Sequence, residues 1–301
     1  PQMTTPHFDS AKPHGIHADI SDDAYSAAAG VRRSELKILA NGTPKDVIHY
    51  RSHGIGDSPA LRIGSATDLA VLTPELYDER VAESDIATRR SAAWRDFEDV
   101  HAGKLCLTAS EAQQVHDLTA AVAQSKQAQH WLSGTQRQLS AWWDHTTLHG
   151  DTLLCKTRPD AVIADKGRTL DLKTCQDLDD HSLNRSCRDY AYDLQAYMNA
   201  EGFLSQGFDW KEHIIIFVRK RPPIDVRCVV MTISSPWLTR AEHVFNQVTT
   251  RYAHMVKNDE RHGWDTRATS LPMENWIENE TLELERQALE LQNHNPNKTN
   301  D

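Results

Sequence analysis

The stretch from Leu153 to Cys175, LLCKTRPDAVIADKGRTLDLKTC, constrains this chain more than any other. Two β-rich runs, Leu154–Ile163 and Arg168–Thr174, flank Ala164-Asp165-Lys166-Gly167, whose composition marks a hairpin turn. Strand side chains alternate faces, so Asp171 and Lys173 share one face while Leu170 and Leu172 share the other. A turn centred between Asp165 and Lys166 pairs 163 with 168, 162 with 169, 161 with 170 and 160 with 171. Asp160 then faces Asp171 with Cβ atoms roughly 4.5–5.5 Å apart. Like charges in that position destabilise a sheet, so something must offset the repulsion. A hard divalent cation held by carboxylate oxygens does so, and a neighbouring lysine suits a site where an anion reacts. The alternative for these residues is a solvated hairpin face with ordinary charges.

Composition limits the remaining possibilities. A chain of 301 residues, 39% hydrophobic and 25% charged, can bury a sizeable core as one large domain or two small ones. No apolar run approaches the roughly 20 residues of a membrane span, and no signal-peptide core is expected at the N-terminus. The five cysteines (Cys106, Cys155, Cys175, Cys187, Cys228) form no C-x-x-C. They fit free thiols in a reducing cytoplasm and give little support to an iron–sulfur or zinc-cysteine site. A formal net charge of −10 argues against a protein that coats nucleic acid over its whole surface, while leaving room for a locally basic groove.

Residues 1–20 are polar and aperiodic and read as a flexible N-terminal arm. Helical pattern begins at Ser21-Asp22-Asp23 and continues through Ser34–Ala40 to a stop at Asn41-Gly42. Arg62–Val81 reads as a helix broken at Thr73-Pro74, with Asp68 among apolar neighbours, either on a polar helix face or facing a metal. Ser84–Gly103 reads as a loop with a short helix. The capping box Thr108-Ala109-Ser110-Glu111 opens a long helix through Trp131. Gln138–His145 is a strand, Arg188–Phe203 a helix after a polar loop, and His213–Arg219 a central strand covered on both faces. Asp225–Ile233 is a further strand, and Ser235-Pro236 starts a helix to about Asn258. The order predicts an α/β domain with acidic residues on the second and third strands of a mixed sheet, then a charged, disordered tail over residues 279–301.

With these segments in view, the chain resembles the P-D…(D/E)-x-K nuclease superfamily, and within it the RecE-type exodeoxyribonuclease (exonuclease VIII) domain. The motif is Arg158-Pro159-Asp160 with Asp171-Leu172-Lys173-Thr174. Matching segments run in the same order: Gly15-Ile16, Tyr25, Gly30-Val31, Ser34 and Leu36; Gly64…Val71-Leu72 followed by Pro74-Glu75; Tyr192 and Gln195; and Ser270-Leu271-Pro272…Trp276. The resemblance implies a restriction-endonuclease-like core over about 136–258, with a mixed central sheet flanked by helices. Extra N-terminal helices would complete a single nuclease domain over 21–278.

Further expectations follow from the resemblance alone. Asp160 and Asp171 would ligate Mg²⁺, or Mn²⁺, with the Leu172 carbonyl as a backbone ligand. Lys173 would position or deprotonate the attacking water, or steady the developing charge. Gln195 would orient the water or the scissile phosphate. Arg89, Arg90, Arg158, Arg185, Arg188 and Lys220, with Ser34 and Tyr192, would meet DNA. The implied substrate is linear double-stranded DNA, degraded from the 5′ end to leave a 3′ overhang for a single-strand annealing partner. The implied assembly is a toroidal homo-oligomer, commonly a tetramer, in a bacterial or phage-infected cell. Three positions depart from the family pattern: Asp68 stands where His is usual, Gln138 where Glu is usual, and Asn199 where Tyr is frequent. Two other readings compete: an endonuclease or single-strand exonuclease of the same fold, and an inactive DNA-end-binding protein.

Overall fold

Local sequence signals set most of the elements. In the computed structural model, residues 13–137 and 139–264 are described. Strand β1 (Gly15–His17) precedes four helices, α1 (Asp22–Ala27), α2 (Arg33–Asn41), α3 (Pro44–His53) and α4 (Pro59–Leu72). A 3₁₀ turn and the short α5 (Tyr77–Arg80) lead to β2 (Val81–Glu83), α6 (Ala92–Val100) and β3 (Leu105–Leu107). Next come α7 (Ala109–Gln124), α8 (Lys126–Leu132), β4 (Gln136–Arg137), β5 (Ser140–Thr146), β6 (Thr152–Thr157), β7 (Ala161–Ile163) and β8 (Arg168–Cys175). The order ends with α9 (Asp180–Tyr190), α10 (Tyr192–Leu204), β9 (Glu212–Arg219), β10 (Val226–Thr232) and α11 (Pro236–Lys257).

The central sheet has the order β10-β9-β8-β7-β4. It is mixed: β8 and β9 are parallel, and the other neighbours are antiparallel. Its two faces bury different cores. Leu170, Leu172, Ile214 and Ile216 pack with Ile63 and Ala66 of α4 and Val115 and Leu118 of α7. Ile215 and Phe217 pack on the opposite side with Tyr192, Ala196 and Phe203 of α10. This is the helix-flanked α/β arrangement expected, and β9, buried along almost its whole length, has the covered position its apolar run predicts.

The hairpin register is the predicted one, with Ala161 opposite Leu170, Val162 opposite Thr169 and Ile163 opposite Arg168. Gly167 closes the turn at φ +66°. A Cβ there would lie 1.9 Å from the Asp209 carbonyl oxygen, so both the backbone angle and the close approach require glycine.

Other expectations need correction. Leu154–Ile163 is two strands, not one. It breaks at Arg158-Pro159-Asp160, and β6 belongs to a separate antiparallel sheet, β1-β5-β6. Pro159 supplies no backbone donor, and the Arg158 side chain is drawn away to Ser140 Oγ (2.7 Å) and the Ile20 carbonyl (2.9 Å). Asp160 therefore occupies the break, and only Asp171 lies within a strand. Residues 13–20 belong to the fold rather than to a loose arm. Gly15 pairs with Trp142, and Ile16 and Ile20 are buried, which anchors the segment through apolar contact. The long helix from Thr108 stops at Gln124, because Ser125 caps a new helix by accepting from the Ala128 amide at 3.3 Å. The expected Arg188–Phe203 helix is also two elements, divided at Ala191 with φ +54°. The polar segment before it is helical from Asp180, capped by Asp179. Helix α3 and the parallel pair β2–β3 complete the elements that periodicity did not separate.

The chain divides into two compact units, Pro1–Gly263 and Trp264–Asp301, and the fold described is that of the first. Most of the arm, Gln138, the Ser270…Trp276 segment and the tail from 279 lie outside the described residues. No helix among the described residues is long and apolar enough to cross a membrane.

Candidate active site

The break before β7 and the middle of β8 bring the motif residues together. Asp171 is fully buried, pointing to the α10 side of the sheet with Lys173 two residues on. Asp160 sits across from it, held because its Oδ2 accepts from the Leu172 amide at 2.9 Å. Lys173 Nζ bridges the carboxylates, 3.3 Å from Asp160 Oδ2 and 3.0 Å from Asp171 Oδ1. Gln195, on the first turns of α10, donates from Nε2 to Asp171 Oδ1 at 2.7 Å. All four expected catalytic residues thus converge on one point.

Electrostatics divides the two carboxylates into different roles. Burial and the neighbouring Asp171 push Asp160 up to about 7. Burial also acts against the charge on Asp171, but Lys173 and His213 more than offset it and hold Asp171 well below the usual carboxylate range. Burial would lower Lys173, yet Asp160 and Asp171 outweigh it and raise the ammonium above its ordinary value. A lysine so placed keeps its proton at neutral pH. It therefore offers positive charge to its neighbours rather than accepting a proton.

One participant was missed by the sequence reading. His213, buried at the start of β9, has Nε2 3.1 Å from Asp171 Oδ2, at ion-pair distance but without hydrogen-bond alignment. Its Nδ1 lies 3.0 Å from Thr169 Oγ1, which also accepts from Trp210 Nε1 at 3.0 Å. The chain Trp210–Thr169–His213 fixes the ring beside Asp171. The signal was a histidine beginning an otherwise apolar strand, HIIIFVR, which was read only as core.

Asp68 lies on α4 and lines a cleft of about 610 Å³ together with Asp160. Burial, and then Asp160, push its carboxyl well above the ordinary value. Among the described residues no group of three or more His, Cys, Asp or Glu is placed to hold a metal by itself. The donor set nevertheless suits a hard cation. Asp171 Oδ2 and Gln195 Oε1 are buried without a hydrogen-bond partner, and burial together with a neighbouring carboxylate raises both Asp68 and Asp160. Mg²⁺ keeps several waters and needs only one or two protein carboxylates, so Asp160 and Asp171 fit it.

The expected DNA-contacting residues are dispersed. Arg89 is half-buried and engaged within the fold: it pairs with Glu111 at 2.9 Å and stacks 4.3 Å from the Trp94 ring centroid. Arg158 lines the cleft but is fixed to Ser140, Ile20 and Asp22 and stacks on Tyr25. Arg90 is exposed, and Ser34 and Lys220 are half-buried. Arg185 lies on the exposed face of α9, against His181, and Arg188 on the same helix pairs with Asp189. Tyr192 is buried, its ring 5.9 Å from Lys173 Nζ, so it packs beside the site. Asn199 is buried and accepts from Thr157 Oγ1, a structural role in place of the expected tyrosine.

A mixed sheet with an aspartate at a strand break, Asp-x-Lys on the next strand and a helix glutamine bonded to the second aspartate defines the PD-(D/E)XK nuclease class. Within that class the chain belongs to the family described as PDDEXK-like domain of unknown function (DUF3799), whose model matches residues 33–264. A solved structure of similar fold is that of a candidate exonuclease from Eubacterium rectale, 18% identical, with TM-score 0.59 over 86% of this chain and 97% of that one. The crystal structure of SSO0001, 13% identical over 76% of this chain and 88% of that one, has a TM-score of only 0.28. No curated protein matches the chain significantly.

Proposed function

We propose that the protein is a metal-dependent exodeoxyribonuclease that degrades one strand of linear double-stranded DNA from its 5′ end. The observation that carries this reading is the bridged pair itself, Lys173 between Asp160 and Asp171 with Gln195 on Asp171. Hydrolysis adds water across a phosphodiester: an oxygen–phosphorus bond forms to the water oxygen, the bond to the leaving sugar oxygen breaks, and that oxygen takes a proton. Asp160, Asp171 and the Leu172 carbonyl would hold Mg²⁺ or Mn²⁺, which would supply Lewis acidity there. Asp68 lines the same cleft as Asp160. Gln195 is anchored through its Nε2, which leaves its Oε1 to accept a hydrogen bond from the attacking water and orient it. Lys173, kept protonated by its two neighbours, steadies the charge that develops on the phosphate oxygens.

Exonuclease habit, 5′ polarity, a 3′ overhang passed to a single-strand annealing protein, and a toroidal tetramer rest on the RecE resemblance. The name borne by the Eubacterium rectale neighbour agrees with an exonuclease. The deciding test is digestion of linear duplex labelled at the 5′ or the 3′ end, beside covalently closed circular duplex, with EDTA and Lys173→Ala as controls. Early release of the 5′ label alone, lost in both controls, is the expected result. Cleavage of circles would mean an endonuclease. Binding of ends without any hydrolysis would mean an inactive end-binding protein.

A further inference from the structure

The cleft beside Asp160 carries an uneven distribution of charge. Three arginines reach its wall, Arg80, Arg137 and Arg158. Two of them share one carboxylate: the Nη1 atoms of Arg80 and Arg158 each lie 3.1 Å from an Asp22 oxygen. Arg137 has no carboxylate partner within ion-pair distance among the described residues, and its bond to the Val71 carbonyl is long at 3.5 Å. It is half-buried, on the edge strand β4, and pairs with Ala161, the residue next to Asp160. Burial disfavours its charge, and Glu75 restores only part of what burial removes. A guanidinium partly withdrawn from water without an anion is costly unless something supplies one. Asp68 and Asp160 line the same cleft. A phosphodiester bound there supplies the anion that Arg137 lacks among the described residues.

We propose that Arg137 is the phosphate-holding residue of this cleft, gripping the DNA backbone beside the bond that is cut, while Arg80 and Arg158 build the wall through Asp22. The inference rests on the nuclease reading and adds a residue that no motif contains. A guanidinium fork meets two phosphate oxygens at once, which an ammonium cannot do, so the site distinguishes arginine from lysine. As charge spreads over the phosphate oxygens in the transition state, a fixed fork strengthens its hold, and its loss lowers kcat as well as affinity.

The test compares wild type, Arg137→Gln and Arg137→Lys in two assays. The first is anisotropy of a labelled duplex with Ca²⁺ in place of Mg²⁺, over a series of salt concentrations. The second is Mg²⁺-dependent cleavage of the same duplex. Arg137→Gln is expected to reduce the salt slope of binding by about one and kcat/KM by roughly 10- to 100-fold, at an unchanged thermal midpoint. Arg137→Lys should recover the slope and only part of kcat. A wild type that cleaves, beside an Arg137→Gln variant with unaltered slope and unaltered cleavage, overturns the inference and leaves the nuclease reading standing. A wild type that binds without cleaving, with the slope still reduced in Arg137→Gln, upholds the phosphate site and overturns the nuclease reading.

Discussion

At the scale of single residues, the site is a set of closely coupled buried charges. Asp160 shows this most directly. Its folded-state value of about 7 exceeds the ordinary 3.8, so the protonated form favours folding. That contribution is complete below pH 3.8 and disappears as pH rises through about 7. In chelator, Asp160→Asn should therefore be more stable than wild type at pH 8, by about 2 kcal/mol, and no more stable at pH 4. Thermal unfolding at the two pH values measures the difference, and an equal gap at both would contradict the assignment. His213 acts one step behind, on Asp171, the carboxylate proposed to hold the cation. His213→Gln should bind Mn²⁺ roughly tenfold more weakly by calorimetry, the usual loss when a ligand's supporting partner is changed. Unaltered affinity would reduce His213 to packing. Asp160, Asp171 and Lys173 were readable because strand alternation is local and a tight turn fixes register. His213 was not, because its pairing with Thr169 joins residues far apart in the chain.

At the scale of elements, α4 and α7 are clasped by a carboxylate that serves three partners. Glu111 caps its own helix through the Thr108 amide (3.0 Å), receives Arg62 of α4 (2.8 Å) and receives Arg89 (2.9 Å). Burial pushes its carboxyl up, but these bonds outweigh burial and hold it at about 2. The stability it confers is present above the ordinary value of 4.5 and is lost as pH falls through about 2. Glu111→Gln should cost about 3 kcal/mol in urea unfolding at pH 7, and the gap to wild type should narrow between pH 4.5 and 2. No loss at pH 7 would show that the clasp is dispensable. The capping box was legible in four consecutive residues, whereas its use of Arg62 and Arg89 was not. Helix limits failed for a related reason. Ala191 adopts a left-handed conformation that nothing in alanine favours, so apolar periodicity ran straight through the junction.

At the scale of the whole molecule, the sheet order could be anticipated only in part. A continuous β run across Arg158-Pro159-Asp160 suggested one sheet, while the strands on either side of it, β6 and β7, belong to different sheets, because Arg158 is bonded toward the N-terminal segment rather than along a strand. The parallel pairing of β8 with β9 places α9 and α10 over the Asp171 face, and that crossover is what delivers Gln195 to the site. The Lys173 bridge also bears on how a turnover begins. Its ammonium supplies positive charge between two acids before any cation arrives. On the proposed reading, DNA and metal then need no compulsory order of arrival. Enzyme mixed with DNA ends in chelator and then given excess Mg²⁺ in a rapid-mixing device should cut without an initial lag, on the same time course as enzyme given metal first. A lag confined to the first order of mixing would mean that the pocket must be rebuilt around the ion, and that the lysine is no placeholder.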